Sequence, residues 1–246
     1  MPEGVAAFSN PLAKATWGVE KTHHQPGTGG VNQMVRFTFT NPVDAFGTTL
    51  TVLKEMVDRY VDDPEVIRFT RRLFNGKRLR NHDELGEIAA IAQYFQGTHT
   101  IKTPDNQVGS PLLSGDKGSY RYQKDPYSRE LFQSPPKVLR DIETGESGAD
   151  CDDIAATAAC CLAAAGYPAM LMIVDAGTAK GEYNHVMLAT KTMNPNSLYG
   201  SDWFPIELIH PLGLGKSVKI KSYIPLLVEP YDITSKTRKL IPAQFR

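Results

Sequence analysis

The sequence predicts an α+β fold, and three observations carry that reading. Apolar residues recur at helical spacing in several segments before residue 150, an Ala-rich helix opens at Cys151, and strand-like alternation replaces helical spacing after Pro168. Helices, then the cysteine helix, then meandering strands call for an antiparallel sheet packed on the cysteine helix, with an N-terminal helical extension. The 246 residues divide into an N-terminal arm and strand (1–42), an α+β domain (43–216), and a C-terminal strand with a basic tail (217–246).

Residues 1–30 are rich in Gly, Pro, Thr and Asn without sustained periodicity and read as an irregular arm. His23 and His24 lie in it, in a polar context that suits solvated side chains. VNQMVRFTFT (Val31–Thr40) alternates as a strand does, and NPVD opens a helix through about Val61. Asp63 and Pro64 then supply an N-cap and a first helical residue for a second helix. One face of it is apolar. The other carries Arg68, Arg71 and Arg72 and continues into Lys77, Arg78 and Arg80. A third helix spans Asp83–Phe95, with Gly97 past its end.

The stretch Thr98–Tyr127 is Gly-, Pro-, Asp- and Ser-rich, too polar to build a core, and reads as a long surface loop. Pro135 and Pro136 forbid one continuous helix through Ser128–Gly145. After the cysteine helix, Pro168–Ala176 and Tyr183–Lys191 form an antiparallel hairpin. Asp202–Ile209 adds a third short strand, and SVKIKSYIPLLVEP another.

Composition removes several function classes. Lys plus Arg and Asp plus Glu both total 27, so no global charge argues for nucleic acid or an anionic membrane as partner. No apolar run approaches the roughly 20 residues a bilayer span needs. The first residues lack a charged segment followed by an apolar one, so no secretion signal is expected. Three cysteines, two of them adjacent at Cys160 and Cys161, make no disulfide framework and suit a reducing interior.

Chemistry concentrates at Glu146–Pro168. Gly148 and Asp150 lead into the Ala-rich run, with Asp150 as N-cap, and Gly166 and Pro168 end it. Cys151 therefore sits at a helix N-terminus, where unpaired N–H groups and the macrodipole favour an anion, and it is a candidate nucleophile. The first-turn acids Asp152 and Asp153 offset the dipole. The Asp150–Asp153 run lacks the alternating spacing of a calcium loop, so neither a metal nor a cofactor is expected. Cys160 and Cys161 fall within the apolar helix as inert core residues.

A thiol acyl-transfer site also needs a histidine to move the proton and a third group to orient it. His185 lies mid-strand. Alternation groups Tyr183, His185, Met187 and Ala189 on one side, and Asn184, Val186, Leu188 and Thr190 on the other. Two carboxylates compete as orienting group. Asp202 and Glu207 are five apart and face opposite sides of a regular strand. Glu207 emerges from the apolar run Trp203-Phe204-Pro205-Ile206, where a carboxylate is costly unless paired, while Asp202 beside Gly200 and Ser201 suits a turn. Glu207 is the preferred member and Asp202 the alternative. A backbone N–H at the helix start suits an oxyanion hole, and Tyr122 and Gln133 are side-chain candidates for it.

The order G-x-x-C-D-D at a helix start, then H-V-M-L, then W-F-P-I-E resembles the transglutaminase-like superfamily, cysteine enzymes of papain-like fold. The upstream EIAAIAQYF, the Y-x-x-D-P of Tyr122–Pro126 and the segment ELFQSPPKVL are similar to the lead-in of its small bacterial and phage members, and the resemblance spans roughly Arg71–Pro211. It implies a Cys151–His185–Glu207 triad acting on a protein or peptide substrate through a thioester, which water (hydrolase) or an amine (transglutaminase) then resolves. It also implies a phage origin, with the protein in the host cytoplasm or on the virion. The alternative is a virion assembly protein that keeps the fold and acts by interaction through its N-terminal arm, basic helix face and basic tail.

Overall fold

A computed structural model of the chain describes residues 18–21, 33–37, 42–76, 79, 83–96, 130–144, 149–177, 183–210, 212–232 and 237–238. The helices are α1 (Pro42–Tyr60), α2 (Pro64–Gly76), α3 (Glu84–Phe95), α4 (Pro135–Thr144) and α5 (Cys151–Ala164). The strands are β1 (Gly18–Lys21), β2 (Gln33–Phe37), β3 (Glu130–Phe132), β4 (Ala169–Asp175), β5 (Tyr183–Thr190), β6 (Phe204–Ile206), β7 (Ser222–Val228), β8 (Tyr231–Asp232) and β9 (Thr237–Arg238). The mixture of helices with antiparallel sheet is the expected α+β class.

Local chemistry explains the helix limits. Asp63 Oδ1 accepts the Glu65 N–H at 2.8 Å, with Pro64 as first residue of α2. Asp83 Oδ1 accepts the Gly86 N–H at 3.0 Å at the start of α3. Pro135 and Pro136 open α4, where their missing N–H groups cost nothing. Beyond α5, Gly166 takes φ 92°, and the N–H groups of Gly166 and Tyr167 close on the carbonyls of Ala163 and Leu162 at 3.0 and 2.9 Å.

Helix α5 is the centre of the molecule. Every residue from Asp152 to Ala163 is buried, with α1 to α4 packed on it and the β4–β5 hairpin lying against it. A helix apolar on all sides belongs in a core. Its alanines let several neighbours approach at once, and Leu171, Ile173, Val186 and Leu188 cover it from the sheet. That sheet runs β6-β5-β4-β7, all antiparallel. Its far face buries Met172, Val174, Met187 and Ala189 with Trp203 and Ile220.

The structure departs from the expected elements in three places. The N-terminal region is not wholly irregular: β1 pairs with β2, and β2 pairs with β3, in a separate three-stranded sheet. The third strand of the main sheet is only Phe204–Ile206, so Glu207 lies just past its end. The strands are no simple meander, since β7 returns to pair with β4 on the side away from β5.

Two arginines of the basic face of α2, Arg68 and Arg72, are engaged internally, while Arg71 is exposed. Glu143 on α4 pairs with both Arg68 and Arg72, and Glu65 also pairs with Arg68. No helix among the described residues is long and apolar enough to cross a membrane. His23, His24, Gly148, Tyr122, the loop Thr98–Tyr127 and the tail beyond Arg238 lie outside the described residues.

Candidate active site

Asp150 is the N-cap of α5, in extended conformation, and its carboxylate Oδ1 accepts the N–H groups of Asp152 at 3.3 Å and Asp153 at 3.5 Å. Its carbonyl accepts the Ile154 N–H at 3.2 Å. The cap thus uses the donors around Cys151, while the Cys151 N–H, first in the helix, has no acceptor inside it. The Cys151 side chain is half-buried, whereas Cys160 and Cys161 are fully buried. Burial pushes the Cys161 thiol up to about 12, against a weaker opposing hydrogen bond with Thr70. Cys160 donates its thiol to the Val57 carbonyl at 3.9 Å.

His185 enters from β5 beside an irregularity. The β4–β5 ladder runs in step from Ala169↔Thr190 to Val174↔His185, then shifts so that Asp175 faces Tyr183. Asn184 is the extra residue, and a bulge there breaks the alternation. Tyr183 consequently packs in the main cluster with Val186 and Leu188, not with Met187 and Ala189 as unbroken alternation would have it.

The His185 ring stands between a thiol and a carboxylate. Its Nε2 lies 3.0 Å from Oε2 and 3.2 Å from Oε1 of Glu207. The Cys151 side chain is the ring's other close neighbour. With Nε2 turned to Glu207, Nδ1 is the nitrogen left for the sulfur. Burial lowers the affinity of His185 for a proton, but the hydrogen bonds with Cys151 and Glu207 and the charges of both outweigh it, and the imidazole is pushed up to about 9. The side chain of His185 is 12% exposed and that of Glu207 is 0%.

Glu207 is held at both oxygens. Oε1 accepts the N–H groups of Ile209 at 2.9 Å and His210 at 3.3 Å. Burial opposes its ionisation, yet His185 and these two donors together hold the carboxyl below its usual range. Asp202, the alternative, is exposed in a turn beyond Phe204, which pairs with Thr190 at the opposite end of β5 from His185. The structure brings Cys151, His185 and Glu207 together and leaves Asp202 apart.

Gln133 sits beside the first turn of α5 with its carboxamide already oriented. Its N–H donates to Asp153 Oδ1 at 2.6 Å, its Nε2 donates to Asp153 Oδ2 at 2.8 Å, and Lys137 Nζ donates to its Oε1 at 2.7 Å. Asp153 is therefore more than a dipole-balancing acid. It ties the turn before α4 to the cysteine helix.

Sequence reasoning missed Gln96, which donates to the Glu207 carbonyl, and His210, whose ring centroid is 6.2 Å from that of His185. Nothing local to either residue signals these contacts, because both depend on how the segment after β6 folds back.

Among the described residues, Asp150, Cys151 and Asp152 form one group with donor atoms within 4.8 Å of one another, a spacing that could receive a cation, although Asp150 is already engaged as the helix cap. Neither carboxylate oxygen of the buried Asp152 has a hydrogen-bond partner among the described residues. No family model matches the chain, and no curated protein matches it.

Proposed function

We propose that the chain is a cysteine-dependent acyl-transfer enzyme with a transglutaminase-like, papain-type core, acting on an amide bond of a protein or peptide. Cys151 is the nucleophile, His185 the base and then the acid, and Glu207 the group that orients and charges the imidazole. One observation carries this reading: a single imidazole, His185, stands beside the Cys151 thiol and 3.0 Å from a fully buried carboxylate.

The chemistry follows from that contact. His185 takes the thiol proton as sulfur attacks the acyl carbon, and Glu207 stabilises the imidazolium. The carbonyl oxygen becomes an oxyanion that the Cys151 N–H, unused by the helix cap, is placed to receive. As the C–N bond breaks, the imidazolium returns the proton to the departing amine and a thioester remains on Cys151. His185 then removes a proton from water or an amine, which displaces the sulfur and releases acid or new amide.

Incubation with an activated acyl ester, followed by intact-mass measurement, tests the reading. The expected result is an acyl adduct on Cys151 that hydroxylamine removes, as it removes thioesters. An adduct that forms equally on the Cys151→Ala protein would overturn it.

A further inference from the structure

We propose that Gln96 is a positioning residue for the Glu207–His185 pair, acting on the backbone that presents Glu207; the proposal rests on the catalytic reading above. Glu207 lies one residue beyond β6, so the strand ladder that fixes Ile206 against Leu188 does not reach it. Something else must hold its main chain.

Gln96 does so from the end of α3. It is the C-terminal cap of α3, where its backbone N–H bonds to the carbonyls of Ala92 and Tyr94, and its side chain is buried. Its Nε2 donates to the Glu207 carbonyl and, at 3.2 Å, to the Leu212 carbonyl. The donor end of a carboxamide can answer two converging carbonyl oxygens, one N–H to each, without bringing a charge into the core. A single side chain thereby closes both ends of residues 207–212.

Inside that closure, Ile209 and His210 donate to Oε1 of Glu207, and the Leu212 N–H reaches the His210 carbonyl at 2.7 Å. The last turn of α3 is itself anchored by aromatic contacts, with Tyr94 4.7 Å and Phe95 6.2 Å from Phe69 between ring centroids. Gln96 thus transmits the rigidity of a core helix to a carboxylate on a loop, the support a site needs if its geometry is to be held.

The test measures the titration of the His185 imidazole by NMR in the full chain, with thermal melting alongside. Among the described residues, the charged or titratable groups facing His185 are Cys151, Glu207 and the neighbouring His210. Gln96→Glu replaces two donors with acceptors aimed at two carbonyls, and Gln96→Leu removes the donors at similar volume. Both are expected to lower the His185 midpoint by about one unit, a tenfold loss of proton affinity. Tyr167→Phe is the stability control, since it deletes the Tyr167–Glu87 hydrogen bond at the other end of α3. It should leave the His185 midpoint unchanged. Where Gln96→Glu fails to fold, Gln96→Leu decides.

A Gln96→Leu protein with a lower melting temperature but the wild-type His185 midpoint would overturn the proposal, because Gln96 would then be structural only. The imidazole reports for itself. A Cys151 that proves inert removes the catalytic reading and still leaves the hold of Gln96 on the pair to be decided.

Discussion

Oε2 of Glu207 stands 3.0 Å from Nε2 of His185, and Oε1 of the same carboxylate is occupied by the N–H groups of Ile209 and His210. Both oxygens face the imidazole, at 3.0 and 3.2 Å, and Oε1 in addition anchors the carboxylate to its own loop.

Glu207→Gln keeps the shape and removes the charge. The carboxamide cannot stabilise an imidazolium, so the His185 midpoint should fall from about 9 toward the ordinary 6.5. Alkylation of Cys151 by iodoacetamide at pH 6 should slow by about tenfold, one pKa unit's worth of charge stabilisation. An unchanged midpoint would remove Glu207 from the site. Asp202→Asn, on an exposed turn, should change neither quantity.

The pair also sets a pH window for stability. His185 is raised in the folded state, so its contribution is complete below its unperturbed 6.5 and is lost as pH rises through about 9. Glu207 is depressed, so its contribution is complete above its unperturbed 4.5 and is lost as pH falls through the lowered value. Denaturant midpoints between about pH 4.5 and 6.5 should therefore carry the full benefit of the pair. In His185→Ala, the decline from pH 6.5 to 9 should flatten relative to wild type.

Asp150 positions the thiol by capping α5. Asp150→Ala should cost about 1 kcal/mol of stability, the usual loss for an N-cap, and Asp150→Ser should recover most of it. Chemical denaturation of the two variants distinguishes this from a nonspecific surface effect, which serine would not repair.

Asp152 points the other way. Its buried carboxylate has no hydrogen-bond partner among the described residues, and such a group weighs against folding. Asp152→Asn should raise stability by about 1 kcal/mol, even after the weaker match to the helix dipole. A fall in melting temperature would show that the charge is compensated.

Much of this site was legible because its signals are local. The Asp150 cap, the alanine run and the Gly166 stop belong to one helix, and the structure begins α5 at Cys151 as those residues direct. Glu207 stood out as a carboxylate in an apolar run, and burial beside His185 is the pairing such a residue needs. What stayed hidden depends on partners distant in the chain. The bulge at Asn184 arises from how β5 registers against β4. The three-stranded sheet joins β2 to a strand of three residues almost a hundred positions later, too short to announce itself. Gln96 and Gln133 are polar residues at element ends, where capping is the ordinary expectation. Their contacts with Glu207 and Asp153 become visible only in three dimensions.

The central claim is that His185 makes the Cys151 thiol reactive, and native-state alkylation tests it most directly. At pH 6 an unassisted thiol is almost wholly protonated. Iodoacetamide labelling of the folded protein, read by peptide mass spectrometry, should modify Cys151 well ahead of the buried Cys160 and Cys161. His185→Ala should slow that labelling at least about tenfold, by the scale of one pKa unit. Labelling of Cys151 that proceeds at the same rate with and without His185 would contradict the account.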